Sequence, residues 1–194
     1  MREWNKNEHN FEKTFAKNLD IICRMNNVYP VFLPMQLPND LEFSKKICEN
    51  LETPYYIIGT RYDEKIFAGI ISRCSLLIGM RLHSLIYAAS VCVPIVGIVY
   101  DPKVKSFLDY VGQTHFIGAE KISGENFIGI ISDCLKNKDT IKEEFKKRID
   151  VLCKKAKYNA DIAMKLLNKE TIITFDAEEN AENTEEAQIE NTGD

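Results

Sequence analysis

The chain has 194 residues, 45% of them hydrophobic, which is enough for one domain with a full core and ordinary for a globular fold. No apolar run approaches the roughly 18 residues a membrane span requires, and the start does not resemble a signal peptide. The formal net charge of −4 is unevenly placed: residues 176–194 hold eight acidic and no basic side chains, so residues 1–175 carry 25 basic against 21 acidic ones, a net of +4. That balance favours anionic ligands mildly and lacks the footprint of a nucleic-acid binder.

Taken in order, the chain opens with polar residues around Trp4 and no apolar strand. Phe11, Phe15, Leu19, Ile22 and Cys23 then recur at helical spacing, and Asn26-Asn27 closes that helix. Val31-Phe32-Leu33 is a short strand bracketed by Pro30 and Pro34. Pro38-Asn39-Asp40 opens a helix with Leu41, Ile47, Cys48 and Leu51 on its apolar side, and Asp40 is the candidate N-cap. Tyr55 to Ile58 is a third apolar strand and Gly59-Thr60 a turn, followed by a helix with Ile66, Phe67, Ile70, Ile71 and Cys74 on one stripe.

Two uncharged runs follow, Leu76 to Met80 and Val91 to Val99, separated by a helix-sized segment. Runs of this kind are what a parallel sheet covered on both faces requires. Asp101-Pro102 is a helix start, with Asp as cap and Pro in the first turn; Val104, Phe107, Leu108 and Val111 continue it and Gly112 ends it. Thr114 to Ile117 is a weak last strand. Phe127, Ile131, Cys134 and Leu135 mark one closing helix, and Ile141 through Leu167 a longer one. Beyond Thr174 the composition is too polar to order itself, so residues 175–194 read as a disordered acidic tail and 1–174 as the folded domain. The six cysteines, at 23, 48, 74, 92, 134 and 153, have no Cys-x-x-Cys pair and read as buried reduced thiols of a cytosolic protein.

Strands alternating with helices imply an α/β fold, a doubly wound and mostly parallel Rossmann-like sheet. Right-handed crossovers place every strand-to-helix corner on one edge, where such folds bind ligands. The corners are Pro34–Asp40, Gly59–Asp63, Arg81–Ser84 and Tyr100–Lys103, with Arg2–Asn7 as a fifth if a strand precedes it. Arg81 and His83 flank the first residue of a helix, whose free amides and dipole favour an anion. Arg81 adds a fixed fork of donors and His83 a proton near neutral pH, which together suit a small phosphorylated acid that needs proton transfer. Taken singly, Arg81 reads equally as an ion-pair residue, His83 as a structural one, Asp101 as a cap, Tyr100 and Lys103 as solvent-edge residues, and Gln36 and Asp40 as turn residues. No Gly-x-Gly-x-x-Gly, Walker loop or His-Glu-x-x-His is present.

The block Gly79-Met80-Arg81-Leu82-His83-Ser84-Leu85-Ile86-Tyr87-Ala88-Ala89, then Val93-Pro94 and Gly97-Ile98-Val99-Tyr100-Asp101-Pro102-Lys103-Val104, resembles the polysaccharide pyruvyl transferase family. The resemblance is greatest to the cell-wall branch that pyruvylates the polymer anchoring S-layer proteins. Phe32-Leu33-Pro34-Met35-Gln36, Asp40 and the opening Arg2-Glu3-Trp4 also resemble that branch, and the likeness runs over residues 2–170. It implies the C-terminal half of a two-domain GT-B-like enzyme, with the N-terminal partner domain outside this sequence.

The resemblance further implies a cytoplasmic enzyme that moves pyruvate from phosphoenolpyruvate, as co-substrate and without a cofactor or metal, onto a glycan as a ketal. A lipid-linked acceptor would bring it to the inner membrane face. His83 is then the acid/base. Arg81 and Arg2 are the candidates for the donor's carboxylate and phosphate, helped by the amides of Leu82 to Ser84, with Lys103, Tyr100 and Gln36 as further substrate contacts. Two alternatives share the architecture: a sugar-nucleotide-binding half of a GT-B glycosyltransferase or epimerase, and a non-catalytic interaction domain.

Overall fold

A computed structural model describes residues 11–122 and 125–168. The chain divides into two compact units, residues 1–151 and 152–194. All the strands described lie in the first. The expected boundary at 174/175 and the acidic tail fall outside the described residues.

Helix α1 (Phe11–Asn26) stops where Asn27 takes a positive φ of 51°. Strand β1 (Val31–Phe32), helix α2 (Asn39–Cys48), strand β2 (Tyr56–Ile57) and helix α3 (Glu64–Ile71) follow. Asp63 caps α3 by accepting from the Ile66 amide at 2.9 Å. Asp40 is not the cap of α2. Pro38 holds that position without a side-chain bond, and Asp40 lies inside the first turn with its carboxylate turned back to the preceding loop. Ile66 departs from the expected stripe as well: it is exposed, and Phe67 and Ile71 are the buried residues of α3.

Strand β3 (Leu77–Gly79), helix α4 (Leu82–Ser90), strand β4 (Ile95–Val99), helix α5 (Pro102–Tyr110) and strand β5 (Phe116–Gly118) come next. The apolar run at Val91–Val99 is only half strand. Cys92 takes a positive φ of 54°, so Val91 to Pro94 make the turn and β4 begins at Ile95. Asp101 caps α5, its side chain accepting from the Lys103 amide at 3.0 Å, and Gly112 follows the helix at φ 72°. A single 3₁₀ turn at Ala119–Lys121 precedes helices α6 (Glu125–Lys136) and α7 (Lys138–Leu167). Of α7 only Phe145 is buried, and its later residues Ala156, Ala163 and Leu167 are exposed.

Every strand pairing is parallel, and the strands form two open sheets, β1-β2 and β3-β4-β5. The expected parallel α/β architecture is present. It falls into two pieces, because neither β1 nor β2 pairs with a strand of the other sheet among the described residues. The strand period of two divides β4 between two layers. Val96 and Ile98 join Ile117, Ile22 of α1, and Phe127, Ile131 and Cys134 of α6 in one buried cluster. Gly97 faces the other way, against Leu108 of α5; a Cβ there would lie 2.2 Å from Leu108 Cδ1. Burial on both faces is why the sequence around β4 carries no charge.

Candidate functional site

Parallel pairing sets Gly79 of β3 beside Gly97 of β4, so both strands end at one edge and their corners are neighbours. The chain leaves β3 through Met80 and enters α4 at Arg81, which is extended (φ −80°, ψ 124°) and offers no side-chain cap. The Arg81 carbonyl accepts the first bonds of the helix. Ser84 and Leu85 amides donate to the Arg81 carbonyl at 3.0 and 3.3 Å, and the Ser84 hydroxyl donates to the same oxygen at 2.7 Å. Among the described residues the amides of Leu82 and His83 have no acceptor, so they are that turn's open donors at the helix's positive end. Gly79 lets α4 approach this closely: a Cβ there would lie 2.8 Å from both Leu85 Cδ2 and Ser84 Oγ.

Arg81 reaches across to the corner after β1. Its Nη2 donates to Asp40 Oδ1 at 2.6 Å, a charge-assisted bond with the Asp40 side chain only 21% exposed and that of Arg81 44% exposed. The other oxygen of Asp40 accepts from the Gln36 amide at 2.9 Å and the Met35 amide at 3.2 Å. The Asp40 amide in turn donates to the Gln36 carbonyl at 2.9 Å. One carboxylate thus closes the Pro34–Asp40 corner on itself and fixes it to the Arg81 corner.

Arg81, Asp40 and Gln36 are brought together by hydrogen bonds. His83 is the second residue of α4, exposed, and its ring has no hydrogen bond among the described residues. Leu82 is half-buried. Ser84 is buried and its hydroxyl is occupied by the Arg81 carbonyl, so the side chain points into the fold rather than toward solvent. Tyr100 packs half-buried against the α1/α6 cluster. Lys103 is exposed in the first turn of α5, on the neighbouring corner. Arg2 and Trp4 lie outside the described residues.

The Asp40 carboxylate partly offsets the Arg81 charge, and the other positive features of this edge are the N-terminus of α4 and the exposed Lys103. No group of three or more His, Cys, Asp or Glu side chains that could hold a metal occurs among the described residues.

The opposite edge has a related device that the sequence reading missed. Asp20 of α1 is 3% exposed, and its carboxylate accepts from the Thr53 amide at 2.8 Å and the Glu52 amide at 3.1 Å. Burial alone would push its pKa up, but the bonds from Thr53 and Glu52, with the nearby Arg24 charge, outweigh burial and hold it below the ordinary value. Its signal was visible: Asp20 stands beside Leu19 and Cys23 in the apolar stripe of α1, where an acid needs partners. Burial pushes the thiols of Cys23 and Cys48 up to about 11 and that of Cys134 up to about 12, which keeps them protonated and inert. Cys153, in contrast, is exposed.

Among the described residues no helix is long and apolar enough to cross a membrane. No curated protein and no solved structure matches the chain. A family model does: that of polysaccharide pyruvyl transferase, over residues 1–102, which takes in the corners at 34–40, 59–63 and 81–84 and ends at Pro102 of the fourth.

Proposed function

The chain belongs to the polysaccharide pyruvyl transferase family, and from that membership we propose that its carboxyl edge binds phosphoenolpyruvate and passes the pyruvate unit to a glycan as a ketal. The observation that carries the reading is the placement of Arg81 and His83 either side of the first residue of α4, with the open amides of that turn between them. An anion-binding helix start, a guanidinium and a titratable imidazole are what this donor needs in one place.

Phosphoenolpyruvate becomes reactive when its terminal carbon is protonated, because positive character then develops at the carbon bearing the phosphate ester. His83 supplies that proton. Arg81, with Arg2 by family resemblance, holds the donor's carboxylate and phosphate, while the Leu82 and His83 amides stabilise the phosphate oxygens. A sugar hydroxyl adds to the activated carbon and loses its proton to a base, which His83 can be once it has given up its own. The C–O bond to phosphate breaks, and a second hydroxyl of the same sugar closes the ketal as its proton goes to the departing phosphate, which leaves as inorganic phosphate. Lys103, on the next corner, adds positive charge for the departing phosphate. By resemblance to GT-B enzymes, the acceptor approaches across a cleft formed with a second Rossmann-like half, and the cell-wall polymer branch supplies the acceptor class.

Calorimetric titration with phosphoenolpyruvate and, separately, with a uridine diphosphate sugar tests the reading. Saturable phosphoenolpyruvate binding that weakens by about 1.5–3 kcal/mol in Arg81→Ala, the value of a charged hydrogen bond, is the expected result. Preference for the nucleotide sugar, or binding indifferent to Arg81, overturns it.

A further inference from the structure

We propose that Asp40 is a positioning residue for the donor site: it acts through Arg81 and holds its guanidinium in the orientation that receives the anion. The inference rests on the donor reading of the carboxyl edge. Its basis is the unequal fixing of the two partners. Asp40 is the sheltered one, on the first turn of α2, with one oxygen committed to the Met35 and Gln36 amides. Arg81 is the more exposed, and among the described residues its side chain is tied by one bond, from Nη2 to Asp40 Oδ1. A long side chain held at one nitrogen by a rigid carboxylate loses rotamer freedom before the ligand arrives. It keeps its other N–H groups for that ligand, so less entropy is lost on binding.

The alternative is that Asp40 is a bystander charge, and the two roles predict opposite signs. A bystander carboxylate beside an anion site repels the anion, so its neutralisation tightens binding. A positioning carboxylate orients the cation, so its neutralisation weakens binding even though a negative charge has been removed. Asp40→Asn separates these roles, because the carboxamide oxygen still accepts from Met35 and Gln36 while the ion pair is lost. Asp40→Ala removes both.

The experiment is a double-mutant cycle on phosphoenolpyruvate affinity with Asp40→Asn, Arg81→Gln and the double variant, accompanied by melting temperature and amide hydrogen exchange at Gln36. The expected result is a loss of roughly 3- to 10-fold in affinity for Asp40→Asn alone, with the Gln36 amide still protected. On the Arg81→Gln background the same substitution costs no further affinity, because its effect runs through the missing guanidinium. Unchanged or tighter binding by Asp40→Asn, or an equal loss on both backgrounds, overturns the inference and leaves the donor reading standing. If the unaltered chain does not bind phosphoenolpyruvate, the donor reading falls and the inference falls with it. Loss of Gln36 protection in Asp40→Asn assigns the effect to the loop, and Asp40 is then structural.

Discussion

Asp20 and Asp40 make the same kind of contact at opposite edges of the fold. Each is a helix carboxylate that accepts backbone amides from a loop, Glu52 and Thr53 for Asp20, Met35 and Gln36 for Asp40. They differ in burial and in what else they hold. Asp20 is sealed, and both its oxygens serve the loop before β2. Asp40 gives only one oxygen to its loop and uses the other to hold a cation that faces solvent. A sealed carboxylate with backbone partners holds elements together. A half-open one whose cationic partner faces solvent can orient that cation for a ligand. Asp20 is therefore joinery at the amino edge, and Asp40 stands at the carboxyl edge, where the proposed donor site lies.

The sharpest test of this contrast is His83→Ala. His83 is exposed and bonded to nothing described, so its loss should leave the melting transition within about 0.5 kcal/mol of the parent, as for other surface positions. Phosphate release from phosphoenolpyruvate in the presence of a glycan acceptor should fall by roughly 10²–10⁴-fold, the range of a lost general acid. Equal turnover in the variant would remove His83 from the mechanism.

Asp20→Ala should behave in the opposite way. It takes the charged acceptor from the amides of Glu52 and half-buried Thr53, so we expect stability to fall by about 1.5–3 kcal/mol in a denaturant titration. Donor affinity of the folded fraction should not change. The pH dependence has a definite sign. The folded pKa of Asp20 lies below its unfolded value, so its stabilisation is present above the unfolded value, about 3.9, and is lost as pH falls through the lowered folded one. Denaturant midpoints measured from pH 7 down to pH 2 should show an acid-dependent loss in the parent that is reduced in the variant. A parallel pair of curves would mean that Asp20 carries no such linkage.

Gly97→Ala probes the support beneath the carboxyl edge and has the smallest expected effect of the three. The new methyl meets the fully buried Leu108 of α5, and overpacking of that kind costs about 1–3 kcal/mol. Because α5 starts at the Asp101 corner, the variant should also loosen the Lys103 turn, read as faster exchange of the Lys103 amide. Parental stability would show that α5 can shift without strain.

Much of this was legible in the chain. The β3–α4–β4–α5 unit could be read because its determinants are local: two uncharged runs, a small Ala88-Ala89 pair for close packing and an Asp101-Pro102 cap. Arg81 and His83 were legible for the same reason, since parallel topology alone sends every strand-to-helix corner to one edge. The late start of β4 was not legible. It depends on Cys92 adopting a left-handed conformation that its residue type does not announce.

The sequence by itself determined the fold class and the edge to which the strand-to-helix corners go, because hydrophobic period, capping chemistry and crossover handedness act over a few residues. Only the tertiary structure decided what the carboxylates do. Asp40 is joined to Arg81, 41 positions later, and Asp20 to an amide 33 positions later; nothing in either local sequence names the partner. The structure also turned the Ser84 hydroxyl inward and put the Tyr100 ring against the core. Those choices follow from how closely α4 packs at Gly79 and from which layer each side chain joins. Such facts exist only once the helices are seated on the sheet.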